Sequence, residues 1–350
     1  MKSIPLWVKL LGGIGVLAAI CVGLAFVPTG QVAFAPNAPI DLDGKITVGG
    51  NPAEPLQGRM YLVGVTERKV NLLQRMLLDV SDPSVDFGPA PANTPASGGP
   101  AASDVRAMDE AKQVAAGVAF DIVGRSTDWS GTGVKVEAVA PDGPAGRVLR
   151  PGDLIVRVNG TNVDSSVDAS RIINQLPPGS TVRLGMQRAG VAVQSTLKTV
   201  APREDGTGRR SEIGVELSTI GLRVRLPENV GIDSGNVVGP SAGLAFALYL
   251  IDSMSDDDLL RGRYVVATGS VSPDGLVLPV GRVKQKAVAT QNAKRDLLLV
   301  PVANAKEARA AVADACSGNA CVQVVPVHSV SEAVDLLKLD DAALAAKVGG

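Results

Sequence analysis

Three residue types in the C-terminal part of this chain could together cut an amide bond. Ser241 stands in Gly239-Pro240-Ser241-Ala242-Gly243, at the head of an apolar stretch that predicts a helix over 241–251. A serine at a helix N-terminus lies beside unpaired backbone N–H groups and the positive end of the helix dipole. A hydroxyl attacking a carbonyl there would find donors for the developing oxyanion in the backbone around Pro240, Ser241 and Ala242. The same placement also suits a plain N-cap. The hydroxyl needs a base. Lys284 and Lys286, in Arg282-Val283-Lys284-Gln285-Lys286, open a second predicted helix over 283–292. Desolvation that lowers a lysine from about 10.4 toward 8 makes it a usable base, at a cost of roughly 3 kcal/mol. The two lysines are two apart and face differently, so one can enter a site while the other stays solvated. Thr268, in Ala267-Thr268-Gly269-Ser270, ends a predicted strand and could hold the amine by a hydrogen bond. Val224, Arg225 and Leu226 form a possible edge strand against which a substrate backbone could pair.

Composition removes several rival chemistries. The 350 residues carry 34 Lys plus Arg against 35 Asp plus Glu, a net charge of −1, so no broad basic surface for nucleic acid is expected. One histidine and three cysteines do not suffice for most metal sites, and none is expected. A Ser-His hydrolase would depend on His328 alone; a structural role fits that residue better. Asp256-Asp257-Asp258 reads as a solvated turn rather than a calcium site. The G-x-x-x-x-G-K-[ST] phosphate loop does not occur, so neither an ATPase module nor a cofactor is expected.

The elements that must position these residues fall into a multidomain chain. The uncharged run Leu10–Val27, preceded by Lys2 and Lys9 and closed by Pro28, predicts a transmembrane anchor over 1–28. The positive-inside rule then keeps the N-terminus cytoplasmic and places the body outside the cytoplasmic membrane. The rival is a cleaved signal peptide with a site near Ala33-Phe34-Ala35. Residues 40–110 predict short strands and helices around a flexible loop over 81–103, which is rich in Pro, Ala and Gly. Residues 113–200 predict a small, mostly β unit, 201–210 a polar linker, and 211–340 a mixed α/β domain. Cys316 and Cys321 flank a four-residue loop and could form a disulfide.

Two resemblances join these readings. GPAGRVLRPGDLIVRVNG (143–160) and PPGSTVRLGM (177–186) resemble a PDZ domain. That resemblance implies a groove in which a peptide adds as an extra strand, with its carboxylate-binding loop near Gly117, Val118, Ala119 and Phe120. VVGPSAGLAFAL (237–248), VVATGSVSPDGLVLPVGRVKQKA (265–287) and LLLVPVANAKEA (297–308) resemble, in order, the proteolytic domain of the Lon family. It implies a Ser-Lys endopeptidase with Ser241 as nucleophile, Lys284 as base and Thr268 in support. The chain departs from the family pattern at Val238, where many bacterial members carry an acid, and at Arg282, which replaces the second glycine of a Gly-Gly step. Together the resemblances imply a membrane-anchored PDZ-Lon protein. It would be ATP-independent, would cleave peptides or unfolded proteins, and could form a homo-oligomer. The alternative is a non-catalytic, membrane-tethered peptide-binding or assembly protein.

Overall fold

The computed structural model describes residues 6–89, 101–140, 142–201, 212–318 and 321–348. Most of the expected linker over 201–210, and the 90–100 part of the expected loop, lie outside the described residues.

The α/β unit is organised on one five-stranded sheet. Its order is Ile40–Asp41, Arg59–Leu62, Tyr264–Ala267, Leu297–Pro301, Gln323–Val327. The last four strands run parallel, with Val265 opposite both Met60 and Leu297. Parallel sheets need both faces covered, and these strands read accordingly: Leu297–Pro301 is buried at every position. Met60, Leu62, Val265, Ala267, Leu297 and Leu299 pack on one face, toward the helix Gly243–Met254. Tyr61, Val266, Leu298 and Val300 pack on the other, against the helices Val283–Asn292 and Ala305–Ala315. The Gly243–Met254 helix is buried from Gly243 through Asp252. An apolar circumference of this kind requires cover on all sides, and the long helix Ala102–Ile122 supplies part of it.

The strand Arg59–Leu62 therefore lies inside this five-stranded sheet, beside its central strand, although it belongs by sequence to the N-terminal section. Ile46–Val48 and Asn51–Pro52 of that section form another sheet with Val230–Ile232, while Val65–Asn71 and Asp86–Pro89 flank Pro28–Pro36 in a three-stranded antiparallel N-terminal sheet packed on the helix Val283–Asn292. Asp86–Pro89 thus replaces part of the loop expected over 81–103. Ala33 and Phe34 are buried in the central strand of this sheet.

The expected membrane anchor is overturned. Among the described residues, no helix is long and apolar enough to cross a membrane. The N-terminal helix runs Leu6–Ala25, and the chain leaves it as a strand beginning at Pro28. Its charge-free part behind Lys9 is Leu10–Ala25, about 24 Å long at 1.5 Å per residue, against a hydrocarbon core of about 30 Å. With the anchor go the single-pass topology, the assigned sidedness and the membrane as a partner.

The PDZ-like unit has the strand order Val191–Lys198, Thr181–Arg188, Leu154–Val158, Val134–Val139, Val215–Thr219. The fifth strand comes from beyond the linker and pairs antiparallel with Val134–Val139. It was expected in the α/β domain; sheet pairing assigns it here. Asp153, 2% exposed, receives Arg188 through Nε at 2.7 Å and through a second nitrogen at 2.6 Å, and accepts the Arg150 N–H. The Arg188 hydrogen bonds hold its carboxyl below the usual range, against the opposing pull of burial. Asp153 therefore stabilises the fold above its unfolded pKa, and that contribution disappears as pH falls through its depressed folded value. Asp153→Ala should destabilise by about 1–3 kcal/mol, because it removes the charge-assisted hydrogen bonds that the buried carboxylate accepts. Urea unfolding at pH 7 measures this, and the gap from the parent should close in strong acid.

The helix Ala102–Ile122 passes straight through the expected PDZ peptide loop. Gly117, Val118, Ala119 and Phe120 are helical and buried. A Cβ on Gly117 would lie 2.6 Å from the Trp129 ring. The residues form a helix–ring contact, not a carboxylate-binding loop. Gly117→Ala should cost about 1–3 kcal/mol by overpacking, read as a lowered midpoint in thermal unfolding.

Candidate active site

Ser241 lies in a tight 3₁₀ turn, Pro240–Ala242, that runs directly into the helix Gly243–Met254. The turn is entered through Gly239 at φ 85°, a left-handed value suited to glycine. The Gly239 N–H is taken by the carbonyl of Asp104 at 3.0 Å, which ties the long helix to the turn. Gly243 permits close approach: a Cβ there would lie 3.2 Å from the Val271 nitrogen. Gly269 and Leu244 complete the frame. The Gly269 N–H donates to the Ser241 carbonyl at 2.9 Å, and the Leu244 N–H to the Gly269 carbonyl at 3.0 Å.

Thr268 follows the central strand Tyr264–Ala267 and is fully buried. Its hydroxyl donates to the Ser241 carbonyl at 3.1 Å and accepts from Lys286 Nζ at 3.0 Å. Three sequence-distant residues are thus joined through one hydroxyl. Lys286 is 4% exposed, and burial pushes its amine down to about 8. Among the described residues no ion pair involves it. Ser241 is half-buried. No hydrogen bond joins Ser241 Oγ directly to Lys286 Nζ among the described residues.

The direction of these bonds has a chemical consequence. Thr268 has one hydroxyl proton, and it goes to the Ser241 carbonyl. The contact with Lys286 must therefore be donated by the amine. A neutral amine that donates one N–H still has its lone pair free. That lone pair is what a general base offers to a serine hydroxyl. Unliganded sites often hold such pairs beyond hydrogen-bond distance until substrate tightens them.

Lys284 goes elsewhere. Its Nζ meets Asp86 Oδ1 at 2.9 Å, in a pair more than a third exposed on both sides. The assignment of the base to Lys284 is corrected by this geometry: the amine that reaches Thr268 belongs to Lys286. The sequence held little signal for this: eight of the ten residues of the helix are buried, Lys284 and Asn292 being the exceptions, so no amphipathic stripe marks which lysine turns inward. The role given to Pro240 is also corrected in part. Proline has no N–H, so it shapes the turn but cannot donate to an oxyanion.

The other expected site residues are dispersed. Val224 and Arg225 lie in the strand Arg223–Arg225, one edge of which is filled by Asp128–Ser130, with Val224 opposite Trp129; Leu226 follows it. Cys316 and Cys321 are joined in a disulfide with Cα atoms 5.5 Å apart. His328 is exposed, and its backbone N–H donates to Glu332. Among the described residues no cluster of metal-ligating side chains occurs. The edge strand Val215–Thr219 and the helix Ser166–Asn174 flank a groove of about 380 Å³ lined by Ser170, Val215, Glu216, Leu217, Ser272 and Leu278. Neither Ser241 nor Lys286 lines it. Ser170 donates to Asp274 at 2.9 Å, linking the PDZ-like unit to the turn between the strands Ser270–Val271 and Val277–Leu278.

Comparison with known proteins agrees with this division. Residues 104–199 match the PDZ domain, and residues 224–338 match the Lon protease (S16) C-terminal proteolytic domain. A magnetosome formation protease, MamE of Magnetospirillum gryphiswaldense, is 39% identical over 71 residues. The match spans 20% of this chain and only 9% of that protein. Among solved structures, the PDZ domain of the SdrC-like protein from Listeria monocytogenes is 32% identical, over 25% of this chain and 87% of that one, at a TM-score of 0.23. The corresponding domain from Listeria innocua is 28% identical, over 24% and 92%, also at 0.23. Scores this low carry no argument about the fold. The two domain matches do: this chain joins a PDZ domain to a Lon-family (S16) proteolytic domain, which is a serine-protease-type catalytic domain.

Proposed function

We propose that the chain is an ATP-independent serine endopeptidase acting on peptides and on flexible or unfolded protein segments, with Ser241 and Lys286 as its dyad. Ser241 Oγ attacks the scissile carbonyl while the neutral Lys286 amine takes its proton. The resulting ammonium returns a proton to the leaving amine. Water, deprotonated by the same lysine, then hydrolyses the acyl-enzyme. Thr268 fixes the amine and the serine main chain relative to each other. Backbone N–H groups at the Ser241 turn receive the oxyanion. The observation that carries this reading is the buried Lys286 amine, with no carboxylate partner among the described residues and bonded to the hydroxyl that also holds Ser241.

Lys284, turned away from Ser241 and paired with Asp86, counts toward the non-catalytic alternative. The Lys286 amine counts against it, since a buried amine bonded to a hydroxyl has no evident value to a pure binding protein. The groove beside Val215–Thr219 fits capture of an extended segment ahead of cleavage.

The test is degradation of an unfolded protein without ATP. Ser241→Ala and Lys286→Ala should each lower turnover at least roughly a thousandfold. Lys284→Ala should retain more than about a tenth of it, as expected for a residue outside the proton path. Turnover by Lys286→Ala at the parent rate would defeat the dyad.

Activity should rise with pH through about 8, the value to which burial lowers the Lys286 amine. The sign for stability follows. Between about 8 and the ordinary lysine value the folded state binds fewer protons than the unfolded, so stability rises with pH across that window. Below it, the buried amine carries its full penalty. Lys286→Met should therefore be inactive yet up to roughly 3 kcal/mol more stable at pH 7, with the gain shrinking above pH 8 in urea titrations.

A further inference from the structure

The first turn of the helix Val283–Asn292 is gripped from outside its own domain. Arg282 caps this helix at φ 60°, in the left-handed region that a non-glycine residue enters at a cost. Its carbonyl accepts the backbone N–H of Lys286 at 3.3 Å, so the geometry at Arg282 sets where Lys286 begins. Three side-chain contacts from N-terminal residues hold that turn, beside the Lys284 backbone N–H that donates to Glu307 at 3.4 Å within the α/β domain. The Arg282 guanidinium sits 3.4 Å from the centroid of the Phe34 ring. Lys284 Nζ pairs with Asp86. Gln285, fully buried, donates through Nε2 to the Ser84 carbonyl at 3.1 Å. Gly88 leaves the space: a Cβ there would come within 3.1 Å of the Phe34 ring and 3.3 Å of the Arg282 guanidinium.

We propose that the N-terminal three-stranded sheet is a positioning platform for the proteolytic site, with Phe34, Ser84 and Asp86 fixing Arg282, Gln285 and Lys284 so that Lys286 reaches Thr268. The proposal rests on Lys286 being the base. Phe34, Asp86, Arg282 and Lys284 are positioning residues. They touch no reacting atom and act through the helix. The arrangement gives Lys284 a function that its distance from the proton path would otherwise deny it. It also accounts for an arginine at a left-handed cap: the side chain gains an aromatic partner that glycine could not use.

The test is kinetic and uses the full chain with an unfolded protein substrate. Asp86→Lys sets a second ammonium against Lys284. It should lower kcat roughly tenfold or more with KM within about twofold, the mark of lost positioning. The activity midpoint should also move to higher pH, because a loosened first turn admits water to the Lys286 amine. A mere loss of folded molecules would lower the amplitude and leave the midpoint in place. Adding Lys284→Asp restores opposite charges and should return kcat to within about threefold of the parent. If Asp86→Lys alone does not fold, Asp86→Asn, which removes the charge without adding one, decides: a lowered kcat with the midpoint moved to higher pH supports the platform, and a parental kcat and midpoint overturn it. Parental kcat and midpoint in Asp86→Lys, beside an inactive Lys286→Met, would overturn the platform and leave the dyad standing. An active Lys286→Met would overturn both.

Discussion

Burial of a single amine is the constraint on which the rest of this molecule depends. An ammonium shielded from water and without a carboxylate partner is unfavourable, so the amine is driven toward its neutral form. Lys286 meets a hydroxyl where an ordinary structural lysine would meet an acid or solvent. A carboxylate in that place would hold the proton on the amine and remove the base. In the proposed dyad, the capacity to act as a base and the lost stability come from the same desolvation.

The fold supplies that environment from several directions. The parallel sheet delivers Thr268 at the end of a central strand, buried because both faces of the sheet are covered. The Val283–Asn292 helix lies on one face and the Gly243–Met254 helix on the other. The end of the strand is where residues from both can meet. Gly243 and Gly269 allow the approach, since a Cβ at Gly269 would lie 2.6 Å from Val277. The N-terminal section contributes twice: Arg59–Leu62 pairs with the Thr268 strand, and the sheet around Phe34 backs the lysine helix. The proteolytic domain is therefore not assembled from its C-terminal segment alone.

Sequence patterns revealed much of this and missed parts for identifiable reasons. Ser241 and Thr268 could be chosen from their motifs, and they do stand together. Counting from the Gly-x-x step picks Lys284, whereas Lys286 is the amine that meets Thr268; with eight of the helix's ten residues buried, no amphipathic phase distinguished the two. The long helix Ala102–Ile122 takes up residues 113–120, expected in the mostly β unit, because the Ala- and Val-rich stretch from 114 to 120 is buried on many sides and carries no amphipathic signal. The strand Val215–Thr219 was recognisable as a strand, but its partner was not, because the pairing crosses a linker and is decided by tertiary packing. The apolar N-terminal run carried composition without geometry. Where the helix stops, and that Pro28–Pro36 enters a sheet, depends on partners about forty residues away.

The most direct measurement is the ionisation of the Lys286 amine itself. Lysine side chains labelled with 15N in Ser241→Ala protein can be titrated by NMR, with the resonance assigned by its loss in Lys286→Arg. A buried amine at this position should titrate with a midpoint of about 8. A midpoint above roughly 10, the ordinary value for a solvated lysine, would contradict it.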